Sequence, residues 1–312
     1  MKKRSGYIYI QHRENKENIV VSNHILSADA LKELEEATNV IFQLQPIVFS
    51  LDEVERSYQE LITSIKVYQS NLNKLGEKNL NLLPFLDALE GKLSISRKIT
   101  NFLSSASAFL YRTKHQLQYI HGKNSKEFEA WEELRKKIHA TSFSYRFMYE
   151  LRNFTQHRSF PFNKYGAKGK LDSESKNMTF EIEIMVVRDQ FLDTEKKTNY
   201  LKYSREDIQK QLPEFDLLPF ITEYLHHLRQ LCLEPIWFQS MRLSECLTFF
   251  EKITSKNPER VIPVIFIGES KSKDFPPDKC ELIPIKELKY ILHEFDRLIN
   301  VCGDMNEQVR LD

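Results

Sequence analysis

Leu51, Val54, Tyr58, Leu61, Ile65, Tyr68, Leu72 and Leu75 recur in alternating steps of three and four residues. Only a long helix places such residues along one seam, so this run constrains the fold more than any other. Ser50 with Glu53 predicts a capping box at its start, and Gly76 predicts its end. A second helix is predicted from about Leu93 to His121, with Ile99, Phe102, Ala106, Phe109, Leu110, Leu117 and Ile120 facing inward. Gly122 is its expected C-cap. Asn124, with Glu127 three residues on, is the expected cap of a third helix. That helix continues through Phe128, Trp131, Leu134, Ile138, Tyr145 and Met148 into Arg152. The short turn between the second and third of these helices predicts antiparallel neighbours in a bundle. A count of 8 Gly and 11 Pro in 312 residues leaves little turn chemistry, which also favours few, long elements.

The flanks read differently. Tyr7-Ile8-Tyr9-Ile10 and Ile19-Val20-Val21 predict a short hairpin. Residues 27–44 read as a helix ended by Pro46. Residues 158–177 are polar and glycine-bearing. Residues 178–187 alternate as a strand does. Helical pattern returns near Ser204 with interruptions at Pro213 and Pro219. Residues 261–267 form a second strand candidate, which Pro263 directs to a sheet edge. Lys286 opens a last helix. The expected architecture is mainly α. It places a hairpin and helix at residues 1–48, a helical bundle at 49–240 and a small α+β region at 241–312.

A formal charge of +1 and a pI near 7.7 carry no global signature of nucleic-acid binding, so any such surface must be local. Cys232, Cys246, Cys280 and Cys302 form no C-x-x-C pair and have no histidine at ligand spacing, which points to free thiols and a reducing compartment. No apolar run reaches membrane-spanning length, and the basic start lacks an apolar segment behind it. The cytoplasm is the expected location, with no membrane partner.

The chemistry concentrates in Arg152-Asn153-Phe154-Thr155-Gln156-His157. Cleaving RNA by internal attack needs a base for the 2′-hydroxyl proton, donors for the charging phosphate and an acid for the leaving oxygen. An imidazole titrates near pH 6.5 and serves as base or acid. A guanidinium clamps phosphate oxygens, and Asn153 can orient either group or cap the helix. Five residues of ideal helix separate Arg152 and His157 by about 140°. Either the helix ends between them, or a second copy of the motif completes the site. The plainer alternative is that both residues cap a helix end.

The stretch from Glu150 to His157 resembles the R-x(4–6)-H motif of the HEPN superfamily, in which a polar residue follows the arginine as Asn153 does here. The long helices upstream resemble the family's helical core, and the resemblance covers about residues 50–235. It implies a metal-independent endoribonuclease that needs no cofactor and leaves 2′,3′-cyclic phosphate ends. Arg152, Asn153 and His157 would be its catalytic residues. It also implies a homodimer with a composite site, a role as toxin or antiviral effector, and an antitoxin or complex partner. The hairpin, the strand near 180 and the C-terminal region fall outside it. A non-catalytic RNA- or protein-binding module, or a structural subunit of a larger complex, are the alternatives.

From Leu151 to Leu171 there is no Asp or Glu. Arg158, Lys164, Lys168 and Lys170, interleaved with Phe160, Phe162 and Tyr165, are the candidate RNA-binding residues, by charge neutralisation and base stacking. A solvated lysine-rich loop would look the same. His226-His227 has only Glu223 at ligand spacing, so no metal site is expected there. Asp278 with Glu287 and Lys289 is a faint nuclease-like pattern, but the last two fall on a predicted helix. No P-loop, zincin or serine-hydrolase motif is present.

Overall fold

The computed structural model describes residues 2–11, 16–76, 86–171, 178–195, 200–254, 261–268 and 279–308. The elements are β1 (Lys2–Gln11), β2 (Lys16–Ile25), α1 (Ala28–Gly76), α2 (Leu86–His121), α3 (Lys126–Thr141), α4 (Phe143–His157), β3 (Lys164–Leu171), β4 (Met178–Val187), α5 (Arg188–Glu195), α6 (Arg205–Lys210), β5 (Glu214–Asp216), α7 (Leu218–Thr254), β6 (Val261–Gly268), β7 (Lys279–Leu282) and α8 (Ile285–Gln308). The fold is mainly α, with small antiparallel sheets. Asp278 lies outside the described residues.

The chain divides into two units. One comprises residues 1–48 and 233–312, the other residues 49–232. The stretches 1–48 and 241–312, read as separate from sequence, thus belong to one unit. Its sheet has the order β2-β1-β6-β7. The terminal hairpin joins the late strand through β1 and β6, antiparallel, with Ser5 opposite Ile265 and Tyr7 opposite Pro263. Pro263 therefore lies on an inner strand, contrary to the edge expectation. It is tolerated because β7 pairs Val264 to Ile267 and stops short of it, so that flank of the strand is locally open. Leu34, Ile41, Leu44, Leu243, Phe250, Val264, Leu288 and Ile291 are buried in this unit.

Pro46 does not end a helix: α1 runs through it. An interior proline costs about 3 kcal/mol by removing one hydrogen bond and crowding the preceding turn. Ile41, Leu44, Ile47, Val48, Leu51 and Val54 on either side are all buried, at about 1.5–3 kcal/mol each, and that term wins. Ser50 is consequently a buried mid-helix residue, not a cap.

In the second unit, Leu51, Val54, Leu61 and Ile65 of the predicted seam enter the bundle core. Tyr58 lies against Phe102, and its hydroxyl meets Thr222 Oγ1 at 3.1 Å. The third helix of the sequence reading is two helices. Ser142 ends α3 and starts α4, its hydroxyl accepting from the Tyr145 amide at 3.1 Å. A side chain that offers the backbone an acceptor competes with the helical ladder, and here it turns the chain. Ser125, one residue past the expected Asn124, caps α3. Gly122 adopts φ +89°, which only glycine takes without strain.

Trp131 is 1% exposed and donates its indole N–H to the Leu231 carbonyl at 2.9 Å, tying α3 to α7. Phe147 of α4 meets Phe143, Phe191, Phe215 and Phe220. The polar stretch after α4 contains a strand, and the second sheet has the order β3-β4-β5. The Asn163 side chain extends its ladder by accepting from the Val187 amide at 2.7 Å and donating to the Val187 carbonyl at 3.0 Å. These bonds tie the segment after α4 to the end of β4.

Candidate functional site

α4 stays helical through His157, and Arg158 caps it, its amide donating to the Phe154 carbonyl at 2.9 Å. The helix therefore does not end between Arg152 and His157, and the two side chains leave different faces. Leu151 and Phe154 are buried, which fixes the orientation of α4. Arg152 is half-buried: its Nη1 donates to Asn153 Oδ1 at 3.0 Å, while its buried Nε has no hydrogen-bond partner among the described residues.

His157 is exposed, with the Tyr200 ring nearly parallel to it (17°) at 5.6 Å. It lines a groove of about 890 Å³ formed by α2, the end of α4 and the residues that follow. Leu93, Arg97, Thr100, Asn101, Arg158 and Phe160 contribute to the walls, and among the described residues no carboxylate does. Arg97 and Arg158 are both exposed. Lys92 lies over the Phe160 ring at 5.5 Å, adding charge beside the groove. The groove thus offers an imidazole, two guanidiniums and amide and hydroxyl groups, with no opposing carboxylate among the described lining residues, which suits a phosphate-bearing ligand. Arg152 and Asn153 are absent from its walls.

The other sequence candidates are distributed on β3. Lys164 forms an ion pair with Glu214, and Lys170 with Glu181 at 3.2 Å. Lys168 is exposed, and its Cα pairs across the sheet with Glu181. A stretch without acids in sequence is thereby bordered by the carboxylates of β4 and β5. Tyr165 is half-buried beside Phe162 and against α2, where a Cβ added to Gly91 would lie 2.6 Å from its hydroxyl. Burial, with Tyr68 nearby, pushes its phenol up to about 12. Of this set, Arg158 joins His157 at the groove, whereas Lys164, Lys168, Lys170 and Tyr165 do not line it.

Glu150 anchors the site from behind. It is 4% exposed and accepts from the Tyr203 amide at 2.9 Å, the Ser204 amide at 2.9 Å and the Ser204 hydroxyl at 2.6 Å. The segment so held includes Tyr200, the ring against His157. Arg146 reinforces the same corner, with Nε and Nη2 on Asp207 at 3.2 and 2.8 Å and Nη1 on the His139 carbonyl at 2.6 Å.

His226 is buried. His227 approaches Glu223 at 3.4 Å, and Ser142 donates to the same carboxylate at 3.0 Å. His227 beside it holds the Glu223 carboxyl below its usual range. Among the described residues no group of three or more His, Cys, Asp or Glu could hold a metal ion. No helix among them is long and apolar enough to cross a membrane.

Arg97 and Asn101 escaped the sequence reading because they lie over fifty residues before the motif. The signal that could have found them is the absence of acids from Gly91 to Lys126. No protein-family model matches this chain, and no curated protein or solved structure is similar to it.

Proposed function

We propose that residues 49–232 form a metal-independent endoribonuclease domain of HEPN-like type, working at the groove beside His157. One observation carries this reading: an exposed imidazole lies in a groove with two arginines and, among the described residues, no carboxylate. The imidazole takes the proton from a 2′-hydroxyl. The freed oxygen attacks the adjacent phosphorus, and the 5′-oxygen leaves as the 2′,3′-cyclic phosphate closes. Arg97 and Arg158 hold the non-bridging oxygens as charge builds on them. The leaving oxygen needs a second acid, and the His157 of another copy supplies it in a two-fold assembly. Arg152, half-buried and outside the groove walls, belongs in this scheme to the contact with that copy. A role as toxin or defence effector, and a restraining partner, extend the same reading.

A second reading is favoured by the bond between Arg152 and Asn153, which occupies both in a local contact. In it the groove binds RNA without cutting it. The test is cleavage of single-stranded RNA by wild-type protein and His157→Ala in EDTA. Cleavage by wild type alone, with cyclic phosphate ends, is the expected result. Binding by both without cleavage by either would replace the nuclease reading with the binding module.

A further inference from the structure

Between Glu90 and Glu127 the chain carries no Asp or Glu for thirty-six residues, but includes Lys92, Arg97, Lys98, Arg112, Lys114, Lys123 and Lys126. Nearly all of that stretch is α2. The helical period sorts its outward residues. Arg97, Asn101, Ser104, Ala108, Tyr111, His115 and Tyr119 follow in steps of three and four, so they form one stripe along the helix. The stripe starts at the groove, because Arg97 and Asn101 line it.

Its far half is aromatic and uncovered. Tyr111 is 66% exposed and Tyr119 is 82% exposed. His115 lies between them and is also exposed, its ring 4.2 Å from that of Tyr111. Single exposed aromatics are ordinary on protein surfaces. Three on one stripe, on a stretch of helix without acids after Glu90 and continuous with a cationic groove, are a different arrangement. Arg112, at the flank of the stripe, is held by Glu53 at 2.7 Å, and Lys114 faces Glu132 at 3.2 Å. The charge along the stripe is therefore moderate, and flat rings dominate its far end.

We propose that this face of α2 is a binding track for single-stranded RNA that leads into the groove at His157. The inference rests on the RNA reading of that groove. From Arg97 to Tyr119 the track spans about 33 Å at 1.5 Å per residue. That length accommodates a strand of several nucleotides, within the usual range for single-strand binders. Arg97 and Asn101 contact backbone and bases beside the groove, while Tyr111, His115 and Tyr119 stack unpaired bases further along. Stacking needs exposed base faces, so the track selects single strands over duplex. A protein partner would also accept exposed tyrosines, but the lack of carboxylates along the helix from Gly91 onward and the continuity with the groove favour a polyanion.

The test uses the full chain carrying His157→Ala, so that RNA is bound and not cut. Binding of a fluorescein-labelled, unstructured RNA of about 15 nucleotides, and of the corresponding duplex, is measured by anisotropy. Tyr111→Ala/Tyr119→Ala, which removes only exposed rings, is expected to weaken single-strand binding at least tenfold. Tyr111→Phe/Tyr119→Phe retains the rings and is expected to keep it, and duplex binding should change in neither. If the alanine pair binds like its parent while Arg97→Ala/Arg158→Ala loses binding, the track is wrong and the groove reading stands. If no protein binds either RNA, both readings fall. If Tyr111→Ala/Tyr119→Ala weakens duplex and single strand equally, the face does not read unpaired bases and the proposal is overturned.

Discussion

Replacing Glu150 by alanine tests the idea that a buried carboxylate supports the site from the side away from the groove. Glu150 is 4% and Ser204 0% exposed, so water does not replace the lost acceptor at Ser204. Three hydrogen bonds to a charged group disappear, two of them from Ser204. The Tyr203 amide is partly reachable by solvent and loses less. Stranded buried donors cost about 1–3 kcal/mol each, which brings the expected loss to about 3–5 kcal/mol. Glu150→Gln keeps one acceptor oxygen and should lose roughly half of that. For scale, the exposed pair of Arg56 and Asp52 should contribute under about 0.5 kcal/mol.

The assay exploits the two tryptophans. Trp131 is buried in the unit that contains the groove, whereas Trp237 belongs to the other unit and is exposed. In a Trp237→Phe background, emission therefore reports unfolding around Trp131 alone. With a urea dependence of about 2 kcal/mol per molar, the midpoint should fall by roughly 1.5–2.5 M in Glu150→Ala. A loss below about 1 kcal/mol would refute the reasoning, since it would mean that the donors find other acceptors. Freed of Glu150, the segment bearing Tyr200 should also release its ring from His157, so RNA cleavage should drop under conditions where the variant remains folded.

Gly91→Ala places a methyl 2.6 Å from the Tyr165 hydroxyl, so it should be destabilising in the wild-type protein despite the better helix propensity of alanine. In a Tyr165→Phe background much of that clash is gone, and a double-mutant cycle should give a coupling of about 1 kcal/mol. Burial first, then His227 and Arg229, lowers the His226 pKa from 6.5, so the folded state keeps the imidazole neutral where the unfolded chain would already protonate it. The stability this contributes is fully present above the unfolded value. It is lost as pH falls from about 6.5 through the lowered folded value. Urea midpoints at pH 7.5 and 5.5 should therefore converge in His226→Gln relative to wild type. His139, lowered by its own burial and then by Arg146 and Arg135, leaves a residual slope of the same sign.

The helices were legible because their signals are local. The seam from Leu51 to Ile65 carries its own period, and Gly122 announces its positive φ. The strand at 178–187 was legible from alternation alone. The errors came where a local rule met a larger tertiary term. Pro46 breaks a helix in isolation, but buried residues on both sides carry the chain through it. Ser142 divided what periodicity joined, because a hydroxyl bonding forward to Tyr145 is invisible to a hydrophobic pattern.

At the candidate site the sequence identified one component and not its surroundings. His157 and Arg158 both reach the groove because the helix ends there, Arg158 leaving the helical conformation as its cap. Arg152 was grouped with them by sequence spacing, and a helix continuous to His157 separates them. The lysines of β3 looked like a basic patch until pairing in a sheet brought Glu181 and Glu214 beside them. The sequence by itself thus determined where most helical segments lie, the mainly α class and an imidazole at the end of α4, all encoded within a few turns of chain. Tertiary structure alone decided that the first strand pairs with a strand some 250 residues later, and that Arg97 of α2 faces the same groove as His157. Those juxtapositions follow from which apolar faces bury against each other, a property of the whole fold that no window of sequence contains.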